Sequence, residues 1–153
     1  MAQVALANCG RPEITRSVTR GVRRLLRASG FAVLTEFPLS SGRRADLVAL
    51  SNDGVFRIVE IKSSSADFRA DRKWLDYRTY CDLFYFAIPL DLPSQEFPGD
   101  AGLILADTHG AMFEREAPMH KLAPAGRRAM LVRFGALAAE RLHCAVFQEE
   151  AML

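Results

Sequence analysis

Asp46, Glu60 and Lys62 are the residues of this chain whose types and spacing could do chemistry. They fall in RRADLVALSNDGVFRIVEIKSS, Arg43 to Ser64, in and beside two apolar, partly β-branched runs, Leu47 to Leu50 and Val55 to Ile61. Two carboxylates beside one ammonium suit a divalent cation. Magnesium takes hard oxygen ligands, one or two carboxylates completed by waters and phosphate oxygens. A lysine next to such an ion can orient or deprotonate a water and neutralise charge developing on a phosphate. Together the three would support metal-assisted hydrolysis of a phosphodiester.

Whether they meet depends on how the strands pair. Asn52-Asp53-Gly54 between the runs is turn chemistry, so the stretch reads as a hairpin. A three-residue loop closed by Gly54 in the left-handed region sets Ser51 opposite Val55 and Asp46 opposite Glu60. Alternation with period two then turns Lys62 to the same face as Glu60. A two-residue loop at Asp53-Gly54 would instead set Asp46 opposite Ile61 and part the carboxylates.

Carboxylates facing each other across a sheet repel, and unpaired charge in a run that is normally buried costs several kcal/mol. As a bare string, an Asp followed at a distance by Glu-x-Lys is common, and two charges on an exposed strand are usually just solvated. The apolar setting of IVEIKSS argues for a functional reason. Lys62 is also one of only three lysines among twenty basic residues. Arginine, which keeps its proton, would be a poor substitute where a proton moves.

RRAD, a turn and VEIKSS resemble the signature of the PD-(D/E)XK nucleases, with Ala45 where the name-giving proline would stand. DFRADRKW and YRTYCDLFYFAIP further resemble the MmcB-like family of bacterial proteins, which is assigned to DNA repair. That likeness runs from about Pro12 to the C-terminal helix, and its motifs are far more specific than the triad alone. The resemblance implies a restriction-endonuclease-like fold, Mg2+ (or Mn2+) as cofactor and DNA as substrate. It implies metal ligation by Asp46, Glu60 and the backbone carbonyl of Ile61, with Lys62 acting on the water. It adds Glu13, because several nuclease families of this fold bring a first-helix glutamate to the metal. Related enzymes also place polar and aromatic residues of the helix after the hairpin beside the phosphate; here Lys73 and Tyr77 stand there.

The elements that must position these residues follow from hydrophobic periodicity. Ile14, Val18, Val22, Leu25 and Leu26 form the apolar stripe of a helix from about Pro12 to Ser29, stopped by Gly30. Arg16, Arg20, Arg23, Arg24 and Arg27 gather on its opposite arc, and Arg16 and Arg20 are candidates for phosphate contact. Glu13, at the edge of that arc, is otherwise a first-turn acid complementing the helix dipole. Phe31 to Phe37 reads as a strand. Arg43 and Arg44 precede Asp46 where a phosphate backbone would pass, although a solvated strand entry would look the same. A second helix is expected over Phe68 to Cys81, with Lys73 and Tyr77 one turn apart and Trp74 in the core. Asp71 would cap or pair locally. LFYFAIP, Leu83 to Pro89, reads as a central strand covered on both faces. Asp91 to Asp100 is a surface loop, and Gly102 to Ala106 with Ala111 to Glu116 form a second hairpin with His109 at its tip. A last helix from Pro124 to about Cys144 would bury Met130, Leu131, Phe134, Leu137, Ala138 and Leu142. On it, Arg127, Arg128 and Arg133 would extend a basic surface.

The 153 residues suit one domain, with residues 1–10 expected to be flexible or peripheral; half of the chain is apolar and a quarter charged. No apolar run approaches a membrane span and the N-terminus lacks the pattern of a secretion signal, so a cytoplasmic location is expected. Cys9, Cys81 and Cys144 are odd in number and widely spaced, which argues against disulfides and zinc; Cys81 and Cys144 are expected to be buried thiols. His120 and His143 have no partner at metal spacing. A net charge of +2 says little by itself. Its distribution says more: eight arginines face only Glu13 and Glu36 between Arg11 and Arg44, whereas Asp67 to Asp100 holds seven acids and four bases. One basic side fits a protein that meets phosphate, and it fits a plain charged helix face as well.

The order of elements implies an α/β domain with a mixed central sheet flanked by helices. The leading expectation is a magnesium-dependent DNA endonuclease or exonuclease of repair. A non-cleaving DNA-binding or adaptor module of the same fold is the alternative, and an RNA-processing nuclease a third. So short a chain has little room for a specificity domain, so a homodimer or another repair protein is expected to complete it.

Overall fold

The computed structural model describes residues 11–152, so the expectations for residues 1–10, Cys9 included, lie outside the described residues. Helix α1 (Arg11–Ala28) leads into β1 (Ala32–Pro38), β2 (Arg44–Leu50) and β3 (Phe56–Ile61). Then come α2 (Ser65–Ala70), a 3-10 helix (Trp74–Tyr80) and β4 (Leu83–Pro89). A single 3-10 turn (Ser94–Glu96) precedes β5 (Gly102–Ala106), β6 (Ala111–Arg115) and the long α3 (Pro124–Ala151). The six strands form one mixed sheet in sequence order. β3, β4 and β5 run parallel to one another, and the β1/β2, β2/β3 and β5/β6 pairs are antiparallel.

The period-two pattern divides this sheet between two cores. Leu47, Ala49, Val59, Tyr85 and Ile104 face α1, whose Val18, Val22 and Leu26 are fully buried. Val48, Phe56, Ile58, Phe84 and Phe86 face the other way, against the 3-10 helix, Phe97 and the Met130 and Phe134 of α3. β4 is buried along its whole length, as a strand apolar on both faces requires. The five arginines of α1 from Arg16 to Arg27 lie on its exposed side.

One buried carboxylate ties the second core together. Asp82, 2 % exposed, accepts hydrogen bonds from the N–H groups of Phe56 and Leu122, each at 2.8 Å. The Arg127 guanidinium clasps it through two nitrogens at 2.9 and 2.7 Å. β3, β4 and the start of α3 thereby share an anchor.

Three expectations are corrected by the structure. The helix expected over Phe68 to Cys81 is two elements, because the Asp71 carboxylate accepts from the Lys73 N–H at 3.0 Å and from the Lys62 ammonium at 2.8 Å. A side chain that competes for backbone N–H groups in this way ends a helix. Lys73 therefore sits at the entry to the 3-10 helix, exposed, and not one α-turn from Tyr77. The second correction concerns α3, which runs on to Ala151 and buries only Met130 and Phe134; Leu131 and Leu142 are 42 and 67 % exposed. Thirdly, Cys144 is exposed on that helix, so among the described residues only Cys81 is a buried thiol.

Candidate metal and phosphate site

The hairpin loop decides the site. Gly54 takes φ +83°, its N–H donates to the Ser51 carbonyl at 3.0 Å, and the Ser51 N–H donates to the Val55 carbonyl at 3.1 Å. This is the three-residue loop. It sets Leu47 opposite Val59 and Leu50 opposite Phe56. One step further, Asp46 and Glu60 face each other, and here the backbone ladder gives way to side chains. Asp46 Oδ2 accepts from the Ile61 N–H at 2.8 Å, and Glu60 Oε1 accepts from the Asp46 N–H at 3.1 Å. Each carboxylate thus spends one oxygen on the other strand's backbone. Asp46 Oδ1 and Glu60 Oε2 have no hydrogen bond among the described residues.

Burial makes this pair electrostatically costly. Glu60 is 6 % exposed. Burial, and after it the Asp46 charge, push its carboxyl up to about 8. Asp46 is also raised, by burial against the hydrogen bond from Ile61, with the Glu36 charge adding to the rise. Lys62 lies beside the pair, but its ammonium is held by Asp71. Burial works against ionisation of Asp71, yet the Lys62 and Lys73 hydrogen bonds keep its carboxyl below the ordinary value. Two inward carboxylates, each with a spare oxygen and with the nearest cation engaged elsewhere, fit a hard divalent ion that takes one or two carboxylates and fills its remaining positions with water. Among the described residues no group of three or more His, Cys, Asp and Glu side chains could hold a metal.

The other expected residues are placed unequally. Tyr77 is buried, its ring stacked on Phe84 at 5.9 Å and its hydroxyl donating to the Arg44 carbonyl at 3.3 Å. Burial and the charges of Glu60 and Asp46 push that phenol up to about 12, so it borders the acids as a neutral group. Arg43 pairs with Asp76 at 3.0 Å and Arg44 with Glu36, all four partly or largely exposed. Arg16 borders a shallow depression with Ser63 and Asp67, just after Lys62. Arg20 belongs to the exposed arginine band of α1 with Arg23, Arg24 and Arg27. Glu13 is exposed in the first turn of α1. No hydrogen bond or ion pair among the described residues joins it to Asp46, Glu60 or Lys62.

Two neighbours were not foreseen as part of the site. Asp71 was expected only to cap or pair locally, yet it fixes the Lys62 ammonium. Glu36 lies between the Thr35–Leu47 and Phe37–Ala45 pairs, which sets it opposite Asp46 on the next strand. It is the one non-glycine residue with positive φ, 50°, among the described residues, a conformation that costs of order 1 kcal/mol or more. Its carboxylate pairs with Arg44 and its carbonyl accepts from Arg141 at 3.0 Å. Counting the register of β1 against β2 would have found it.

The protein is a mixed α/β domain in which Glu60, buried near the carboxyl end of β3, meets the part-buried Asp46 of β2; in open α/β sheets ligands commonly bind outside the carboxyl ends of the strands. The family of proteins described as "DNA repair protein MmcB-like" matches residues 2–149, and the chain belongs to that family. Among solved structures it is similar to the SPO1766 protein of unknown function from Silicibacter pomeroyi. The two are 39 % identical with a TM-score of 0.83, over 89 % of this chain and 93 % of that one. No curated protein matches. No helix among the described residues is long and apolar enough to cross a membrane.

Proposed function

We propose that this protein is a divalent-metal-dependent nuclease of the PD-(D/E)XK type, with a restriction-endonuclease-like fold, that hydrolyses phosphodiester bonds of DNA in repair. The observation that carries the reading is the mutual clasp of Asp46 and Glu60 across β2 and β3, with Lys62 two residues beyond Glu60. The family description supports the setting in DNA repair.

Asp46 and Glu60, with the Ile61 carbonyl, would hold Mg2+ or Mn2+. When bound, such an ion polarises a phosphate oxygen and lowers the pKa of water. Lys62 Nζ donates to the attacking oxygen or to a phosphate oxygen and offsets the charge that develops there. Asp71 keeps that ammonium in position. Arg43 and Arg44 offer their guanidiniums to flanking phosphates. Their present ion pairs are exposed and worth under about 1 kcal/mol each, so a phosphate can displace the carboxylates. Lys73 and Arg16, both exposed, extend the track, and Arg20 adds to the basic band of α1. Glu13 joins the ligand set only if the start of α1 closes on the site.

The test is a cleavage assay of the full chain on single-stranded, flapped, mismatched and four-way DNA, with Mg2+ or Mn2+ and with an EDTA control. Product is expected from the wild type and from neither Glu60→Ala nor Lys62→Ala, both checked for folding by circular dichroism. Wild-type-like cleavage by either variant rejects the assignment. A second reading, a non-cleaving DNA-binding or adaptor module, is favoured by the engagement of Lys62 with Asp71 at 2.8 Å. It predicts binding of branched DNA with no product under either metal. An RNA-processing role would appear as competition by RNA.

A further inference from the structure

Helix α3 carries two apolar faces, and the fold uses only one. Met130, Phe134 and the half-buried Leu137 pack on the domain, with Phe134 against Phe37 and Phe56. At 100° per residue, Val132, Gly135, Ala139, Leu142 and Val146 fall on a stripe turned well away from that face, spaced three, four, three and four residues apart. This is the spacing of a helix-pairing seam. Val132, Leu142 and Val146 are 65, 67 and 44 % exposed. Arg141, whose guanidinium reaches the Glu36 carbonyl, is the last half-buried residue; from Leu142 to Ala151 every residue is exposed. These ten residues carry α3 about 15 Å beyond that point, with no part of the described domain to cover them.

We infer that the outer face of α3 pairs with α3 of a second copy of this chain, antiparallel, with the two-fold axis near Ala139. This inference is independent of the nuclease reading. The charges select the occupant and its direction. The first half of α3 carries Arg127, Arg128 and Arg133 with no acid, and the second half carries Glu140, Glu149 and Glu150 against Arg141. A crossing at Ala139 sets Val132 against the second copy's Val146 and Arg128 against its Glu150. Gly135 and Ala136 leave room for the second copy's Leu142. A parallel pairing would bring Arg128 against Arg128 and Glu150 against Glu150, and like charges in register disfavour it. Leu131, Val132, Leu142, Val146 and Phe147 are all at least 42 % exposed. Phe147 lies about 100° off the stripe; the other four, at roughly 100 Å² apiece, offer about 400 Å² per copy and about 800 Å² for the pair, below the roughly 1,200 Å² of stable interfaces and the size of a weak, reversible one.

Sedimentation equilibrium of the full chain tests this. A dimer that dissociates in the micromolar range is expected. Leu142→Glu with Val146→Glu, both at exposed positions and so neutral to the fold by circular dichroism, should weaken it by about 100-fold or more. Arg128→Glu or Glu150→Arg alone should weaken it about five-fold, and the two together should restore it to within about two-fold. A chain that stays monomeric at about 100 μM, or a dimer indifferent to the Leu142/Val146 change, overturns the inference. Failure of the charge exchange to restore association overturns the antiparallel arrangement.

Discussion

Glu60→Gln should make the metal-free protein more stable, and the size of the gain is set by where Glu60 sits. Glutamine keeps an oxygen for the Asp46 N–H and removes the charge. In the unfolded chain the proton leaves near 4.5, whereas burial and Asp46 hold it in the folded chain until about 8. Between those values the unfolded state binds fewer protons, so stability falls as pH rises. At about 1.4 kcal/mol per pH unit the penalty accumulated by pH 7 is up to about 3 kcal/mol. Removing the charge relieves both the burial cost and the repulsion from Asp46, while the amide keeps its own cost of burial, so about 1 to 3 kcal/mol is expected to be recovered by the variant. Below pH 4.5 the two proteins should converge; above pH 8 the difference should level off. Urea unfolding at pH 4, 5.5, 7 and 8.5 measures this. Magnesium should stabilise the wild type, more strongly as pH rises toward 8 because the ion competes with the proton, and should leave the variant unmoved. A variant less stable than the wild type at pH 8.5, or a wild type whose stability does not fall between pH 5 and 8, would refute the burial argument.

Asp82→Ala strands two backbone N–H groups and the Arg127 guanidinium, and should cost about 3 to 5 kcal/mol in urea unfolding. Burial raises the Asp82 carboxyl, but Arg127 and the N–H groups of Leu122 and Phe56 outweigh it and hold it below the ordinary 3.8. Its contribution is therefore present above pH 4 and lost as pH falls through the folded value, so wild type and variant should converge in acid. Gly102→Ala would place a Cβ 2.3 Å from Tyr85 Cδ1 and 2.9 Å from Ala117 Cβ; a loss of about 2 kcal/mol or more is expected in thermal or urea unfolding. Asp71→Asn frees the Lys62 ammonium without removing it. Under the proposed reaction it should lower kcat about ten-fold and change KM little, and an unchanged kcat would show that Lys62 needs no such support.

The amino-acid sequence determined what is local. Asn52-Asp53-Gly54 encodes a tight turn and narrows the register to two choices; the three-residue loop closed by Gly54 is the one the structure takes, and it sets Asp46 opposite Glu60. The stripe of α1 and the two-faced apolar β4 were legible for the same reason: periodicity is a property of neighbours along the chain. The tertiary structure decided what depends on distant partners. Asp71 ends the expected second helix through its bond to the Lys73 N–H, but its carboxylate also meets Lys62 from the end of β3, and no pattern between Phe68 and Cys81 encodes that meeting. Leu131 and Leu142 have the spacing of core residues, yet the domain ends before it can cover them. A periodic sequence fixes which residues share a face, and only the packing of remote segments fixes what that face meets.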